Sequence, residues 1–327
     1  RAHLLQGPDA LRLDEDLIRE RWNPQDAPGR AIILRLLQEK VVALVHHGVV
    51  LINGPLHSAG DLRPLMAGES SAASLLTWRV KDRLLDVPFP AVMGILNATP
   101  DSFHSASRTQ VDDALRMAER MLEEGAAILD IGGMSTRPGS EPVPEEEELR
   151  RVLPVVSAIH ARFPEALLSI DTYRSRVALE CLGAGAGMVN DIGAGLLDEG
   201  MLETAAAARV PYIAMHMQGT PRTMQQAPAY HDAASEVTQF LSQRLNAARS
   251  AGIPDVILDP GFGFGKTVEH NYALLNRLES ICALDAPVLV GLSRKRMINE
   301  VIGITPAEAL NGTTALNAVA LLKGASI

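Results

Sequence analysis

Hydrophobic and polar positions follow two alternating patterns along most of the chain. From about residue 77 onward, short runs rich in Val, Ile and Leu are separated by longer stretches with apolar residues at helical spacing. The short runs are apolar almost throughout, which is typical of parallel strands buried on both faces. We predict strands at residues 91–96, 127–131, 167–170, 188–190, 212–215, 256–258 and 288–291.

The stretches between these runs have the pattern of amphipathic helices. Pro144 followed by Glu145–Glu148 predicts a helix start, because proline is tolerated in the first turn and carboxylates suit the positive helix end. About seven strand–helix units follow one another, and an eighth strand would begin near Ala325, where the sequence stops. We predict a (β/α)8 TIM barrel whose last strand is truncated in this sequence. An open, doubly wound parallel sheet is the alternative.

The first 76 residues have a different pattern. Residues 14–22 and 31–46 look helical, and residues 53–73 are rich in Gly, Pro and Ser, as loops are. No motif with evident chemistry lies in this region. We therefore predict a small, mostly helical N-terminal extension of unknown role at 1–76 and a barrel domain at 77–327.

Composition limits the class of partner. The 327 residues are 47% hydrophobic, so a large core is feasible, and the formal net charge of −9 argues against nucleic acid and anionic lipid as partners. No apolar run is long enough to span a membrane. Two cysteines, Cys181 and Cys282, exclude a disulfide scaffold and suit a reducing cytoplasm. A small-molecule partner remains.

Polar residues concentrate where each predicted strand ends. One such residue alone is readily explained as a helix cap or a turn. Seven in succession indicate a site, because the carboxyl ends of barrel strands share one mouth, where active sites lie. The residues include Asn97, Asp130, Asp171, Asn190, His216, Asp259 and Lys295.

These side chains suit a particular kind of ligand. Carboxylates such as Asp171 and Asp259 accept paired hydrogen bonds from a flat heterocycle with adjacent N–H donors. Arg137 suits a phosphate group. Asn97 supplies a hard oxygen that fits Mg2+ carried in with a phosphorylated substrate.

Two features resemble other kinds of site but do not fit them. Residues 261–267 resemble a nucleotide-binding P-loop because Gly265 precedes Lys266 and Thr267. However, only three residues separate Gly261 from Gly265, and the P-loop motif needs four between its two glycines. His216 lacks a nearby second histidine or cysteine, so we interpret it as a hydrogen-bonded side chain at the rim and not as a zinc ligand.

Five segments resemble dihydropteroate synthases in order, spacing and residue type. Five motifs in register are specific, and the resemblance runs from about Thr77 to Ile327, leaving the first 76 residues uncovered. The segments are NATPDSF at 97–103, DIGGMSTRPG at 130–139, MHMQGTP at 215–221, DPGFGFGK at 259–266 and GLSRK at 291–295.

The resemblance implies a (β/α)8 barrel enzyme of folate biosynthesis. Its reaction joins 6-hydroxymethyl-7,8-dihydropterin diphosphate to 4-aminobenzoate and releases diphosphate and 7,8-dihydropteroate. The resemblance also implies Mg2+ as cofactor, a homodimer and a cytoplasmic location.

Site residues follow from the matched motifs. Pterin would lie between polar groups and apolar walls, diphosphate at the second loop, and the aminobenzoate carboxylate at the helix start after Lys295. The resemblance assigns catalysis to Asp171, Asp259, Lys295 and Arg137. It assigns substrate contacts to Thr136, Asn190, Ile192, Met215, Phe264, Gly291, Phe103, Pro138 and Arg296, and a magnesium contact to Asn97.

Some positions depart from the family pattern. Met134 stands where the family usually has Glu, and Ser105 stands where it often has Asp. The Arg and His of the family's last strand have no counterpart in this sequence. Two other functions remain open: a methyltetrahydrofolate–corrinoid methyltransferase, which should lack the 136–138 and 293–295 motifs, and a non-catalytic pterin-binding paralogue. Release of diphosphate in the presence of both substrates would distinguish an active enzyme from the non-catalytic paralogue.

Overall fold

The computed structural model describes residues 75–98, 107–134 and 143–327. The helices predicted at 14–22 and 31–46 lie outside these residues, so the N-terminal extension stays a prediction. The strands are β1 (Leu75–Val80), β2 (Arg83–Pro88), β3 (Met93–Asn97), β4 (Ile128–Gly132), β5 (Leu167–Asp171), β6 (Met188–Asp191), β7 (Tyr212–Met215) and β8 (Val256–Asp259). The helices are α1 (Ser107–Glu123), α2 (Glu145–Arg162), α3 (Ser175–Gly183), α4 (Met201–Ala208), α5 (Ala233–Ser250), α6 (Val268–Asn276), α7 (Glu279–Cys282), α8 (Arg296–Ile302) and α9 (Leu310–Leu322), with a short 3-10 helix (Pro306–Glu308) before α9.

Six parallel strands form one sheet in the order of the sequence, from β3 to β8. A doubly wound sheet reverses its strand order at a switch point, so this continuous order excludes the alternative. Each strand lies within about two residues of its predicted position, and α2 begins at Glu145 directly after Pro144, as predicted. The prediction of a (β/α) barrel fold is confirmed.

Backbone hydrogen bonds connect the two edges of this sheet at its amino-terminal end. The predicted seventh strand is reduced to a parallel bridge between Val288 and Leu258. Ser326 N donates to Val288 O at 2.8 Å, and Ala91 N donates to Ser326 O at 2.9 Å, so the last residues occupy the eighth position. Above this level, Ile95 of β3 is 60% exposed.

The two-residue period of the strands sorts their side chains onto two faces. Residues that point outward, such as Leu129, Ile131 and Leu168, pack against the helices in the larger of two apolar clusters. Residues that point inward near the strand starts form a separate cluster, which we call the barrel floor. The floor contains Ile128, Leu167, Met188, Ile213, Ile257, Leu289 and Ile327, together with Trp78, Val80, Val87 and Ala91.

An antiparallel hairpin of β1 and β2 closes the floor from below. It was not predicted, and it begins at Leu75, two residues before the predicted domain boundary. Trp78 is 2% exposed in the floor. Hydrogen bonds from its main-chain N–H groups fix the hairpin to the barrel: Arg79 N donates to the side-chain Oδ2 of Asp255 at 2.7 Å, and Lys81 N donates to Arg209 O at 2.8 Å.

Replacing Trp78 with alanine should therefore destabilise the whole barrel. We expect Trp78→Ala to lower the free energy of unfolding by about 3–5 kcal/mol, since a large buried side chain leaves a cavity. Leu84→Ala on the same hairpin is the matched control, because Leu84 is 70% exposed. Urea unfolding of both variants checks this, and equal, small losses would show that the hairpin does not contribute to the core.

Candidate active site

Strand register brings the predicted site residues to one end of the barrel. Asn97 pairs with Gly132, Gly132 with Asp171, and Asp171 with Asn190, so these residues lie at one level on neighbouring strands. On the other side of the sheet Met215 pairs with Asp259. All of these positions are the last or, for Asn190, the penultimate residue of their strands, and the prediction of a shared mouth describes their arrangement.

Three carboxyl groups lie close together in the barrel interior, directly above the floor. Burial, followed by the nearby carboxyl of Asp130, raises the pKa of Asp171 well above its usual value. Burial also raises the pKa of Asp130 to about 6 and raises the pKa of Asp259. Among the described residues, Asp171 Oδ1 has no hydrogen-bond partner although it is buried. Such an acceptor calls for a donor from a ligand, because an unpaired buried polar atom is costly.

Asp130 is a site residue to which the sequence analysis assigned no role. Its Oδ2 accepts a hydrogen bond from Asn190 Nδ2 at 3.0 Å. This contact fixes the amide so that the carbonyl oxygen of Asn190 is left to accept from a ligand. The sequence does contain a signal for this role: Asp130 is a charged residue in the middle of the apolar strand β4. It lies two positions before Gly132 and so points to the same, inward face of the strand.

Asp259 and Lys295 form the opposite wall of the pocket. Asp259 Oδ1 accepts from Gly261 N at 2.7 Å. Burial lowers the pKa of Lys295 to about 8, while the charge of Asp259 opposes this shift. Lys295 Nζ donates to Phe262 O and lies 5.0 Å from the ring centroid of Phe264. The loop after β8 and Lys295 therefore hold each other in place.

Apolar residues complete the walls. Met215 at the end of β7 and Ile192 after β6 are both buried. Gly291 lies beside the lysine, since a Cβ at this position would be 3.6 Å from Lys295 Nζ. Met215, Ile192, Phe264 and Gly291 thus lie at the same end of the barrel as the carboxyl groups, on or after β6, β7, β8 and the Val288 bridge.

Close backbone packing explains the glycines after β8. Gly261 has φ +65°, and a Cβ there would lie 1.9 Å from His216 O, so only glycine fits. The side chain of Lys266 is buried beneath the loop. A P-loop lysine must reach phosphate, so the structure agrees with the rejection of a P-loop.

Several predicted residues have other surroundings. Arg296 is exposed at the start of α8, where its Nε contacts Glu300 Oε1 at 2.5 Å. Asp191, one of the strand-end polar residues, accepts hydrogen bonds from Gly193 N, Gly195 N and the Tyr212 hydroxyl, and so has a structural role. Phe103, Thr136, Arg137 and Pro138 lie outside the described residues.

The family departure at Met134 has a local explanation. Met134 is buried, and the hydroxyl of Tyr173 donates to its Sδ at 3.9 Å. Nearby, the buried carboxylate of Glu148 already pairs with Arg174 at 2.6 Å. A methionine at this position adds apolar packing and no further charge.

The described residues hold no group of three or more His, Cys, Asp or Glu side chains arranged to bind a metal ion. In the same residues no helix is long and apolar enough to cross a membrane. What the structure does hold is a set of largely buried carboxyl groups with one amide and one lysine. Such a pocket recognises a flat polar ring by its N–H donors and its ring acceptors.

The fold and the site therefore define a barrel enzyme that binds a small nitrogen heterocycle at the carboxyl ends of its strands. The family profile described as pterin binding enzyme matches residues 93–327. The chain belongs to this family.

Individual relatives agree with the family. The dihydropteroate synthase of Escherichia coli (strain K12) is 46% identical over 246 residues, which are 74% of this chain and 86% of the relative. The Xanthomonas albilineans dihydropteroate synthase with 4-aminobenzoic acid superimposes with a TM-score of 0.70 at 44% identity, covering 76% of this chain and 91% of that one. The complex of the Xanthomonas enzyme with 7,8-dihydropteroate gives a TM-score of 0.66 at 43% identity, covering 76% and 90%.

The raised pKa of Asp130 predicts a specific pH dependence. The folded state binds this proton more tightly than the unfolded state, so the stabilisation is present at low pH and is lost as pH rises from about 4 to about 6. Asp130→Asn cannot titrate. Relative to wild type, it should gain up to about 3 kcal/mol of unfolding free energy across that range.

Urea unfolding at several pH values between 4.5 and 7.5 measures this difference. Asp232→Asn is the control, because hydrogen bonds from Ser235 and Arg277 lower the pKa of this exposed helix cap and its pH dependence is complete below about pH 4. Its difference in unfolding free energy from wild type should therefore stay constant across the measured range. Parallel pH curves for Asp130→Asn and wild type would show that Asp130 does not titrate in this range.

Proposed function

We propose that this protein is a dihydropteroate synthase, which condenses 6-hydroxymethyl-7,8-dihydropterin diphosphate with 4-aminobenzoate to give 7,8-dihydropteroate and diphosphate. The observation that carries this is the meeting of Asp171, Asn190, Asp259 and Lys295 in one buried pocket. Dihydropteroate synthases with 4-aminobenzoic acid and with 7,8-dihydropteroate share this fold at more than 40% identity.

Recognition of the pterin follows from the pairing of donors and acceptors. The ring offers an amino group and adjacent ring N–H groups, which suit the carboxylates and the carbonyl oxygen of Asn190. Its carbonyl oxygen is an acceptor and suits the ammonium of Lys295. A ring bound in this way satisfies Asp171 Oδ1, which the protein leaves without a partner among the described residues.

Electrostatics account for the chemical step. The bond between the pterin methylene and the diphosphate oxygen breaks, and the electron-rich ring delocalises the positive charge left on the methylene. Asp259 and Asp171 stabilise that charge in a pocket from which water is largely excluded. The aryl amine then forms the new C–N bond and loses a proton, so no covalent intermediate with the enzyme is required.

The remaining substrate contacts are part of the same proposal. Thr136 and Arg137 bind the diphosphate, and Phe103 and Pro138 form walls around the aminobenzoate. Arg296 and the start of α8 lie next to Lys295 in sequence and meet the aminobenzoate carboxylate. The support for these roles is the match of the motifs that carry them.

The first test compares product formation in two aspartate variants. Asp259→Ala should lower kcat/KM at least about 100-fold, about 3 kcal/mol, because it removes a buried charge and leaves ring donors unpaired. Asp232→Ala is the control: it removes an exposed helix cap far from the carboxyl groups and should leave activity unchanged. Diphosphate release and dihydropteroate formation are measured together.

The same assay separates the alternatives. Pterin binding by the wild type without diphosphate release would favour a non-catalytic paralogue. Near-normal turnover by Asp259→Ala would contradict the assignment of this carboxylate to the reaction.

We propose Mg2+ as the cofactor, brought in with the diphosphate. The donor set fits: Asn97 supplies an amide oxygen at the end of β3, and Mg2+ commonly uses one or two protein oxygens with substrate phosphates. When bound, the ion neutralises charge on the leaving diphosphate. The role of Asn97 is to orient that group toward the mouth.

Metal dependence tests this directly. Enzyme and substrates stripped of divalent ions should lose most activity and regain it on addition of Mg2+. Asn97→Ala should need roughly tenfold more Mg2+ for half-maximal rate, whereas Asn276→Ala, in α6, should match wild type. Full activity in a chelator would exclude the metal from the reaction.

We propose a homodimer, which the exposed apolar side chains of Leu310, Leu321 and Leu322 on α9 would help to form. We also propose a reducing, cytoplasmic location, which the free cysteines Cys181 and Cys282 favour.

A further inference from the structure

Lys266 is a buried lysine that the chemistry described above does not use. It ends the glycine-rich loop after β8 and is only 3% exposed. Its Nζ lies 2.9 Å from His216 Nδ1, 2.9 Å from Gly261 O, 3.0 Å from Phe264 O and 3.4 Å from His216 O. The three nearest acceptors match the three protons of an ammonium group, so the side chain is hydrogen-bonded to the glycine loop and to the residue after β7 at once.

The atoms that Lys266 holds belong to residues of the pterin pocket or are bonded to them. Gly261 N donates to Asp259 Oδ1 at 2.7 Å, and His216 N donates to Asp259 O at 2.9 Å. The ring of Phe264 lies against Lys295. Lys266 therefore contacts residues that in turn contact two pocket side chains, Asp259 and Lys295. Its own hydrogen bonds are all to protein atoms.

We propose that Lys266 is a positioning residue: together with His216 it fixes the glycine loop so that Asp259 and Phe264 keep the geometry that pterin binding requires. This inference rests on the proposed function, because the pterin is the ligand whose affinity it controls.

The hydrogen bonding of Lys266 to the loop depends on pH, because its burial and the charges around it shift its pKa. Burial lowers the pKa of Lys266 to about 7; Asp259 opposes the shift and Lys295 adds to it. Burial, followed by the charge of Lys266, lowers the pKa of His216 to about 3, so the imidazole stays neutral and accepts at Nδ1. Above about pH 7 the neutral amine has only two protons for its three nearest acceptors. The loop should therefore be held less firmly as pH rises.

Binding of a free pterin tests the proposal without turnover. The affinity for 6-hydroxymethylpterin is measured by calorimetry between pH 6 and pH 8.5. Lys266→Met should weaken binding about 10- to 100-fold at pH 6.5 and should remove the part of the pH dependence centred near 7. Lys81→Met is the matched control, because Lys81 also donates to a buried carbonyl, Leu182 O, but at the hairpin below the floor.

A second pair of variants covers the case in which Lys266→Met does not fold. His216→Asn keeps an acceptor near the position of Nδ1, and His216→Leu removes it. We expect His216→Leu to bind the pterin at least about fivefold more weakly than His216→Asn, a difference that loss of the ring alone does not produce.

The outcomes distinguish this inference from the proposed function. Wild type that neither binds the pterin nor forms dihydropteroate would refute the proposed function. Wild type that does both, with pterin affinity and pH profile unchanged in Lys266→Met, or with equal affinity in the two His216 variants, would overturn the positioning role alone.

Discussion

The dehydration of three carboxyl groups inside a narrow barrel is the constraint on which the rest of the site depends. The strands place Asp130 two residues beyond Ile128, Asp171 four residues beyond Leu167 and Asp259 two residues beyond Ile257, with these apolar floor residues beneath them. Water cannot solvate these groups fully, so each must be neutralised, paired or satisfied by a ligand. This cost makes the pocket selective: a ring that supplies donors in the right places relieves it, and a ring that lacks them does not.

Neighbouring polar groups reduce the cost in folding stability of burying these carboxyl groups. Lys295 faces Asp259, the Asn190 amide donates to Asp130, and main-chain N–H groups donate to Asp259 and Asp191. Asp130 and Asp259 therefore each have one oxygen hydrogen-bonded, while Asp130 Oδ1 and Asp171 Oδ1 are buried without a partner among the described residues. The same unsatisfied atoms favour ligand binding and destabilise the protein without ligand, which is common in active sites.

Sequence reasoning was most successful where the signal was local. Apolar runs such as 167–170 predicted buried strands, and the polar residues after them predicted the mouth, because a strand end is visible in a few consecutive residues. The hairpin was missed because Trp78 and Val80 alternate with charged residues around a Lys–Asp turn without glycine. The contact of Lys266 with His216 joins residues 50 apart. The orientation of Asn190 depends on Asp130, two strands away, so neither could be inferred from spacing.

The hairpin below the floor also determines which end of the barrel is accessible to small molecules. Trp78 is buried at the amino-terminal end of the barrel, and hydrogen bonds from the hairpin main chain attach it to Asp255 before β8 and Arg209 before β7. The hairpin covers this end in the part of the chain that the structure describes, so in the proposed reaction substrates and products would use the end where the strands terminate. A ring bound to the carboxyl groups, directly above the floor, would lie deeper than a second bound molecule. It would therefore enter before that molecule and leave after it.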